Sequence, residues 1–216
     1  MKYFVVCCAV LIAFSSSAQG GFGIHGNMIN SKLSAELRQI AGLPAGATVQ
    51  VALEEVYGLG YGGGVHLDLD LPIISFRISG DYITLSPDKD KFKSFIQKTV
   101  PGAPIEFSEG GRVSIISGSV NLKVGVLPLP VLKPYVTGGG GLANVTSTDV
   151  KLLLFGQPIP AFKILKDQTV GTANAGVGVD LTLGHLSLYG EVKLNWLFIE
   201  GGTATYVPIG TVGITF

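Results

Sequence analysis

The densest group of side chains able to do chemistry is the stretch HLDLD, residues 66–70. In an extended chain, His66, Asp68 and Asp70 share one face because successive side chains alternate. His25, in the earlier stretch GFGIHGNMI, falls on the same kind of face of a preceding segment. Imidazole together with carboxylates suits a divalent cation. The same residues suit a plainer purpose. Facing a closed interior, Asp68, Asp70, Asp81, Asp180 and Glu191 would pair with Arg77, Lys123 and Lys193, because interior charges must be compensated. The plug of ion pairs is the favoured reading, and no metal or cofactor is expected.

Catalytic patterns are weaker still. ISGSV is not a Gly-x-Ser-x-Gly elbow. The runs Gly62–Gly64 and Gly138–Gly141 lack the Lys-Ser/Thr that follows in a phosphate loop. They suit tight curvature of a small sheet better. His25 and His66 fall on the polar face of their segments and His185 in a turn, so a hydrolase site at an outer rim is disfavoured. Fifteen basic and fifteen acidic residues leave no basic footprint for nucleic acid.

The residues that would position this chemistry follow a leader. Lys2 precedes the apolar run Tyr3–Phe14, and Ser16 and Ala18 then form a small-residue cleavage site. That is a secretory signal peptide over residues 1–18; the run is too short to span a membrane. A lipoprotein would need a cysteine just after the apolar run, whereas Cys7 and Cys8 lie inside it. Both cysteines leave with the leader, so the mature domain 19–216 is expected to carry no disulfide and no thiol nucleophile.

Composition narrows the class. Mean hydropathy is +0.48 and charged residues make up 14%, against roughly 25% in soluble domains. Yet the mature chain has no apolar run of about 18 residues, as a helical span would need. Eight stretches of period two appear instead: GFGIHGNMI, GLGYGGGVHLDLDL, SFRISGDYI, ISGSVNLKV, LKPYVTGGGGL, ANAGVGVDLTL, LSLYGEVKLNW and VPIGTVGITF. Each has an apolar face opposite a small or polar one. Strands that meet lipid on one side and a polar lumen on the other look like this. The last stretch alternates to its final residue, which requires an anchor for an otherwise fraying end.

Connections alternate between long and tight. PII, LPLP and GH join strands two to three, four to five and six to seven. Long segments occupy about 30–56, 86–111, 143–171 and 199–206. Short turns at one rim and long loops at the other are the outer-membrane barrel pattern. Outward aromatics give an independent sign: Phe22, Phe76 and Phe216 lie at the short-turn ends, Tyr61, Tyr82 and Trp196 at the long-loop ends. Two such bands are what two membrane–water interfaces select. A soluble sandwich would also alternate, but has no need of the leader, the rim asymmetry and the terminal Phe together.

The loops carry more apolar residues than solvated loops should. SKLSAELRQIAGL predicts a helix with Leu33, Leu37 and Ile40 on one stripe. SPDKDKFKSFIQKTV predicts another, capped by Ser86, with Phe92, Phe95 and Ile96 on its apolar side. DVKLLLFGQPIPAFKIL reads either as a packed cap on extended strands or as a mouth for a small hydrophobic ligand.

The leader, the eight stretches, LKPYVTGGGGL, LYGEVKLNW and the final TVGITF resemble the small outer-membrane β-barrel superfamily, the OmpA/OmpW/OmpX-like group. The resemblance covers essentially the whole mature chain and identifies the architecture rather than a member. It implies an eight-stranded antiparallel transmembrane β-barrel with short periplasmic turns and long extracellular loops, in the bacterial outer membrane. It also implies that Val212, Ile214 and Phe216 are read by the insertion machinery, and that the last strand pairs with the first. The expected function is non-enzymatic: a structural barrel, with a narrow route for small hydrophobic molecules as an option. Surface adhesion through the extracellular loops is the alternative. Expected partners are outer-membrane lipid, the insertion machinery and a small hydrophobic ligand.

Overall fold

Alternating faces with tight turns at one end dictate antiparallel neighbours, and the chain closes them on themselves. The computed structural model describes residues 19–30, 34–37, 49–52, 55–71, 74–99, 105–127, 129, 131–158, 160–161, 163, 165–198 and 205–216. The leader lies outside them. The strands are β1 (Gln19–Asn30), β2 (Ser34–Leu37), β3 (Val49–Ala52), β4 (Leu59–Asp70), β5 (Ile74–Leu85), β6 (Ile105–Glu109), β7 (Val113–Gly125), β8 (Leu132–Ser147), β9 (Lys151–Leu154), β10 (Gln157–Pro158), β11 (Gln168–Leu183), β12 (Leu186–Phe198) and β13 (Thr205–Thr215). Among the described residues one helix, α1, spans Lys89–Thr99.

Eight strands form a closed antiparallel barrel in the order β1-β13-β12-β11-β8-β7-β5-β4. All eight period-two stretches become barrel strands. Each pairs with its chain neighbour among the barrel strands, and β13 returns to β1 with Ile24 opposite Ile214. The Phe216 backbone N–H donates to the Phe22 carbonyl at 2.8 Å, which supplies the anchor the terminal stretch needs. Closure leaves no unpaired sheet edge in the barrel. A strand of 12 residues such as β1 is roughly 40 Å long, and at the tilt of a small barrel it covers roughly 30 Å.

The long-loop end is covered. β6 and β10 flank β9 in a three-stranded sheet, and β2 pairs with β3 in a hairpin. Val150, Leu152, Phe92, Phe95 and Leu165 are buried in one cluster with the upper barrel residues Leu85, Val113 and Val145. Phe107 packs on Phe92 with ring centroids 4.9 Å apart. Val150, Leu152 and Leu165 of the third loop therefore pack as part of a cap. Tyr57 bridges to Pro87 and its buried hydroxyl donates to the Gly111 carbonyl; burial pushes its phenol above the ordinary range.

Two loop expectations are corrected. The first loop was expected to be helical, yet Ser34–Leu37 is a strand paired with Val49–Ala52. Pairing with a β-branched partner segment overrides the local helical stripe. Leu33 and Ile40 lie outside the described residues. The second-loop helix forms, but its cap is Asp88 rather than Ser86. The Asp88 Oδ1 accepts from the backbone N–H groups of Asp90 and Lys91 at 3.0 and 3.2 Å. Ser86 sits too far back to reach that first turn.

Candidate functional site

Inward faces of the eight barrel strands build the site, and they change character along the barrel. Toward the short turns they carry charge and amide; toward the long loops they carry aliphatic groups. On β1 the change is from Asn27 to Ile29, on β5 from Asp81 to Ile83, on β7 from Ser117 to Ile115 and on β12 from Asn195 to Leu197. The lumen is thus a polar layer under an apolar layer.

In the polar layer, Arg77 donates from Nε to Asp68 Oδ1 at 2.7 Å and from Nη2 to Asp68 Oδ2 at 2.6 Å. The two face each other across β4 and β5, so the pairing is built into the register. Lys123 donates to Asp180 at 2.9 Å and lies 3.9 Å from Asp68. Lys193 Nζ sits 2.9 Å from Glu191 Oε1, an ion pair made off the hydrogen-bonding angle. Tyr135 donates to Glu191 Oε2 at 3.0 Å. The cations also lie over rings: Arg77 is 4.0 Å from the Tyr189 centroid and Lys123 4.2 Å from that of Tyr135. Low dielectric makes these contacts strong and their disruption costly.

Glycines make the space for these side chains. A Cβ at Gly64 would lie 2.6 Å from His25 Nε2, and one at Gly178 would lie 2.4 Å from the Tyr135 ring. The glycine-rich runs therefore serve close packing of a crowded lumen.

His25 and His66 do meet. His25 Nε2 is 2.6 Å from Asp81, which also accepts from Asn27 at 2.7 Å. His25 Nδ1 lies 3.2 Å from His66 Nδ1, and His66 Nε2 lies 2.9 Å from Thr215 Oγ1. With both rings neutral, one proton arrangement satisfies these three links. His25 donates to Asp81, His66 donates from Nδ1 to His25, and the Thr215 hydroxyl donates to His66. Hydroxyl, imidazole and carboxylate are the parts of a nucleophilic relay. Here His66 is buried while Thr215, His25 and Asp81 are half-buried, and neither Thr215 nor His66 lines the cavity described below.

Asp70 does not join the group. It is exposed at the end of β4, one residue pair beyond the Asp68–Arg77 bridge. Asp68 itself turns to Arg77 rather than to the histidines. Among the described residues, no three His, Cys, Asp or Glu side chains converge as a cation would require. Asn27, Ser79, Ser119, Asn121, Tyr135, Tyr189 and Thr211 complete the network. Sequence reading missed most of these as functional because neutral side chains carry no charge signal; their inward parity was the available clue.

Between the layers lies a cavity of about 40 Å³. Its polar wall includes Asn27, Asp81, Asn174, Lys193 and Asn195; its apolar wall includes Ile29, Ile83, Ile115, Leu197 and Ile209.

The outside of the barrel is the inverse. Ile24, Val65, Ile78, Val120, Val136, Val177, Val192 and Val212, one on each barrel strand, are all exposed. Phe22, Tyr61, Phe76, Tyr82 and Phe216 are exposed as well, while Trp196 is half-buried. Of Val212, Ile214 and Phe216, Val212 is the most exposed at 69%, and Ile214 is half-buried.

No protein-family model matches the chain, and no curated protein matches it in sequence. Solved outer-membrane proteins are similar in structure. Neisserial surface protein A is 13% identical, covering 92% of this chain and 97% of its own, with a TM-score of 0.44. A major outer membrane protein from Thermus thermophilus is 12% identical over 92% and 99%, also at 0.44. Ail, the attachment invasion locus protein of Yersinia pestis, is 10% identical over 91% and 94%, at 0.41. The assignment of the fold rests on this chain's own closed hydrogen-bonded ladder.

Proposed function

We propose that the protein is a non-enzymatic, structural β-barrel of the bacterial outer membrane, closed to ions and meeting its surroundings through its loop cap. One observation carries this reading: every barrel strand exposes an aliphatic face outward while the charges are paired inside. Water would be a poor solvent for that belt, and hydrocarbon a good one. The strands have the length a bilayer needs, and the aromatics sit toward the two rims. Outer-membrane lipid is then the principal partner.

The test is direct. Purified protein should require detergent or lipid, and should migrate differently on electrophoresis before and after boiling. Monodisperse behaviour in plain buffer, with one mobility, would reject the reading. In planar bilayers no ion-conducting steps are expected, because Arg77, Lys123, Asp68 and Asp180 block the polar layer; steady open-channel current would overturn the closed lumen. Uptake of apolar solutes into proteoliposomes would add the narrow hydrophobic route.

Export through the leader should leave a mature chain beginning at Gln19, read by intact mass. Deleting Phe216, or replacing Val212 and Ile214 with Ser, should reduce insertion in cells while leaving folding into detergent intact. That split identifies the insertion machinery as the reader.

A second reading, a surface interaction or adhesion protein, is favoured by Phe155. It sits at the β9–β10 turn, 77% exposed, in the left-handed region at φ 52°. A bulky residue is uncommon there. Phe155→Ala should abolish partner binding to cells without changing the barrel's boiled and unboiled mobilities.

A further inference from the structure

His25 and His66 face each other through the same ring atom. Their Nδ1 atoms lie 3.2 Å apart, and the Tyr189 hydroxyl lies 3.4 Å from His66 Nδ1. The other ring nitrogens are engaged: His25 Nε2 with Asp81 at 2.6 Å, His66 Nε2 with Thr215 at 2.9 Å. Counted over His, Cys, Asp and Glu alone, this group lacks a third ligand; Tyr189 supplies it.

Hydrogen bonds by themselves leave two features unaccounted for. With both rings neutral, the proton between the Nδ1 atoms sits on His66, so that nitrogen has no lone pair for the Tyr189 hydroxyl. The phenol is buried, with no other acceptor among the described residues. The charges of the layer are also uneven. Asp68, Asp180 and Glu191 pair with Arg77, Lys123 and Lys193. Asp81 is left with His25 and Asn27. Among the described residues the enclosed layer thus holds one excess negative charge, and it lies against the histidine pair. Such a charge needs compensation.

A metal ion answers both. Ligand atoms about 2.0–2.1 Å from a tetrahedral Zn²⁺ are about 3.3 Å from one another, close to the spacings of 3.2 and 3.4 Å found here. Two imidazole centroids on one such ion are about 5.2 Å apart; those of His25 and His66 are 5.4 Å apart. A ligating histidine donates its second N–H to a fixed acceptor, commonly a carboxylate, and Asp81 and Thr215 stand at those positions. If the phenol gives up its proton, the two positive charges of the ion meet one phenolate and the spare Asp81 charge, and the layer balances. Arg77, 4.0 Å from the Tyr189 ring centroid, flanks that phenolate.

We propose that His25 Nδ1, His66 Nδ1 and Tyr189 Oη form a tetrahedral Zn²⁺ site in the polar layer, with a water as fourth ligand. The inference rests on the register of the closed barrel and not on the outer-membrane reading, so either can fail alone.

The experiment adds zinc chloride to chelator-treated, full-length mature protein in detergent micelles, once after folding and once during it, with isotope-labelled histidine rings. Expected is one equivalent of saturable binding that shifts the ring nitrogens of His25 and His66 but not those of His185. A rise in tyrosinate absorbance should accompany it, and Tyr189→Phe should remove that rise. His25→Gln and His66→Gln should each weaken binding at least about a hundredfold, and Asp81→Asn about tenfold, with the mobility difference before and after boiling retained. The shifts in the unaltered protein decide the matter where a variant fails to fold. Absence of binding by both routes would leave a proton as the only bridge between the rings and overturn the proposal. Binding that shifts His185 alone, or that Tyr189→Phe leaves at full strength, would also overturn it.

Discussion

The two layers of the lumen fill the same tube with opposite chemistry. Below, Arg77, Asp68, Lys123 and Asp180 are tied by charge and geometry; above, Ile29, Ile83, Ile115 and Ile209 are held by shape. The contrast teaches where each kind of packing is tolerated. The polar layer occupies the section where the outward face is aliphatic on every strand, so specific pairing inside is combined with non-specific contact outside. The apolar layer continues into the loop cap, so it forms the one conventional core among the described residues.

Substitutions can break this comparison. The largest effect is expected from Arg77→Ala, which leaves Asp68 in a closed interior with only Lys123 at 3.9 Å and should cost about 3–5 kcal/mol in reversible urea unfolding from lipid vesicles. Replacing both members, Arg77→Met with Asp68→Leu, should cost less than the single change, because no charge is left unpaired. In the apolar layer Ile83→Ala should cost about 3 kcal/mol, and no second substitution of the polar kind should restore it. If the double replacement below costs as much as the single one, the layers do not differ in kind.

Smaller effects separate cap from barrel. Asp88→Ala should cost about 1 kcal/mol, seen as lost amide protection in α1 with barrel protection unchanged. The weakest link is Lys151 with Glu109 on the exposed cap sheet. The hydrogen bond from Lys151 holds the Glu109 carboxyl below its ordinary range. A carboxylate depressed in the folded state stabilises above its unfolded pKa and loses that contribution as pH falls through the folded value. Lys151→Ala should leave the unfolding midpoint unchanged in physiological salt. It should alter only the acid-side slope, below about pH 4.5, at low ionic strength.

Most of the barrel was legible in the chain because a period of two has only two outcomes for each residue. Once Phe76 faces out, Arg77 must face in, and the pairing of Asp68 with Arg77 follows from register. Charge supplied the ionic members of the polar layer except Asp70, whose inward parity was right but whose position ran past the strand's enclosed part. The upper layer was harder to read. Ile29, Ile83 and Ile115 have inward parity but the chemistry of the outward face, so alternation alone blurs at the strand ends. The loops were least legible, since Ser34–Leu37 owes its strand to a partner a dozen residues away. The cavity was not legible at all: its lining comes from many strands, and alternation says nothing of how well their side chains fill the space between them.

The seam between β1 and β13 has a kinetic consequence. Gly23 opposite Thr215 joins positions 192 residues apart (215 − 23), far more than the neighbour-to-neighbour hairpins that make up the other seven interfaces. Its loop-closure entropy exceeds that of any hairpin, so closure of this seam is expected to come last. Until then the sheet is an open ribbon with two bare edges, each a template for a stray strand. The rate of that final zippering, rather than the strength of any single hairpin, sets how long those edges stay bare.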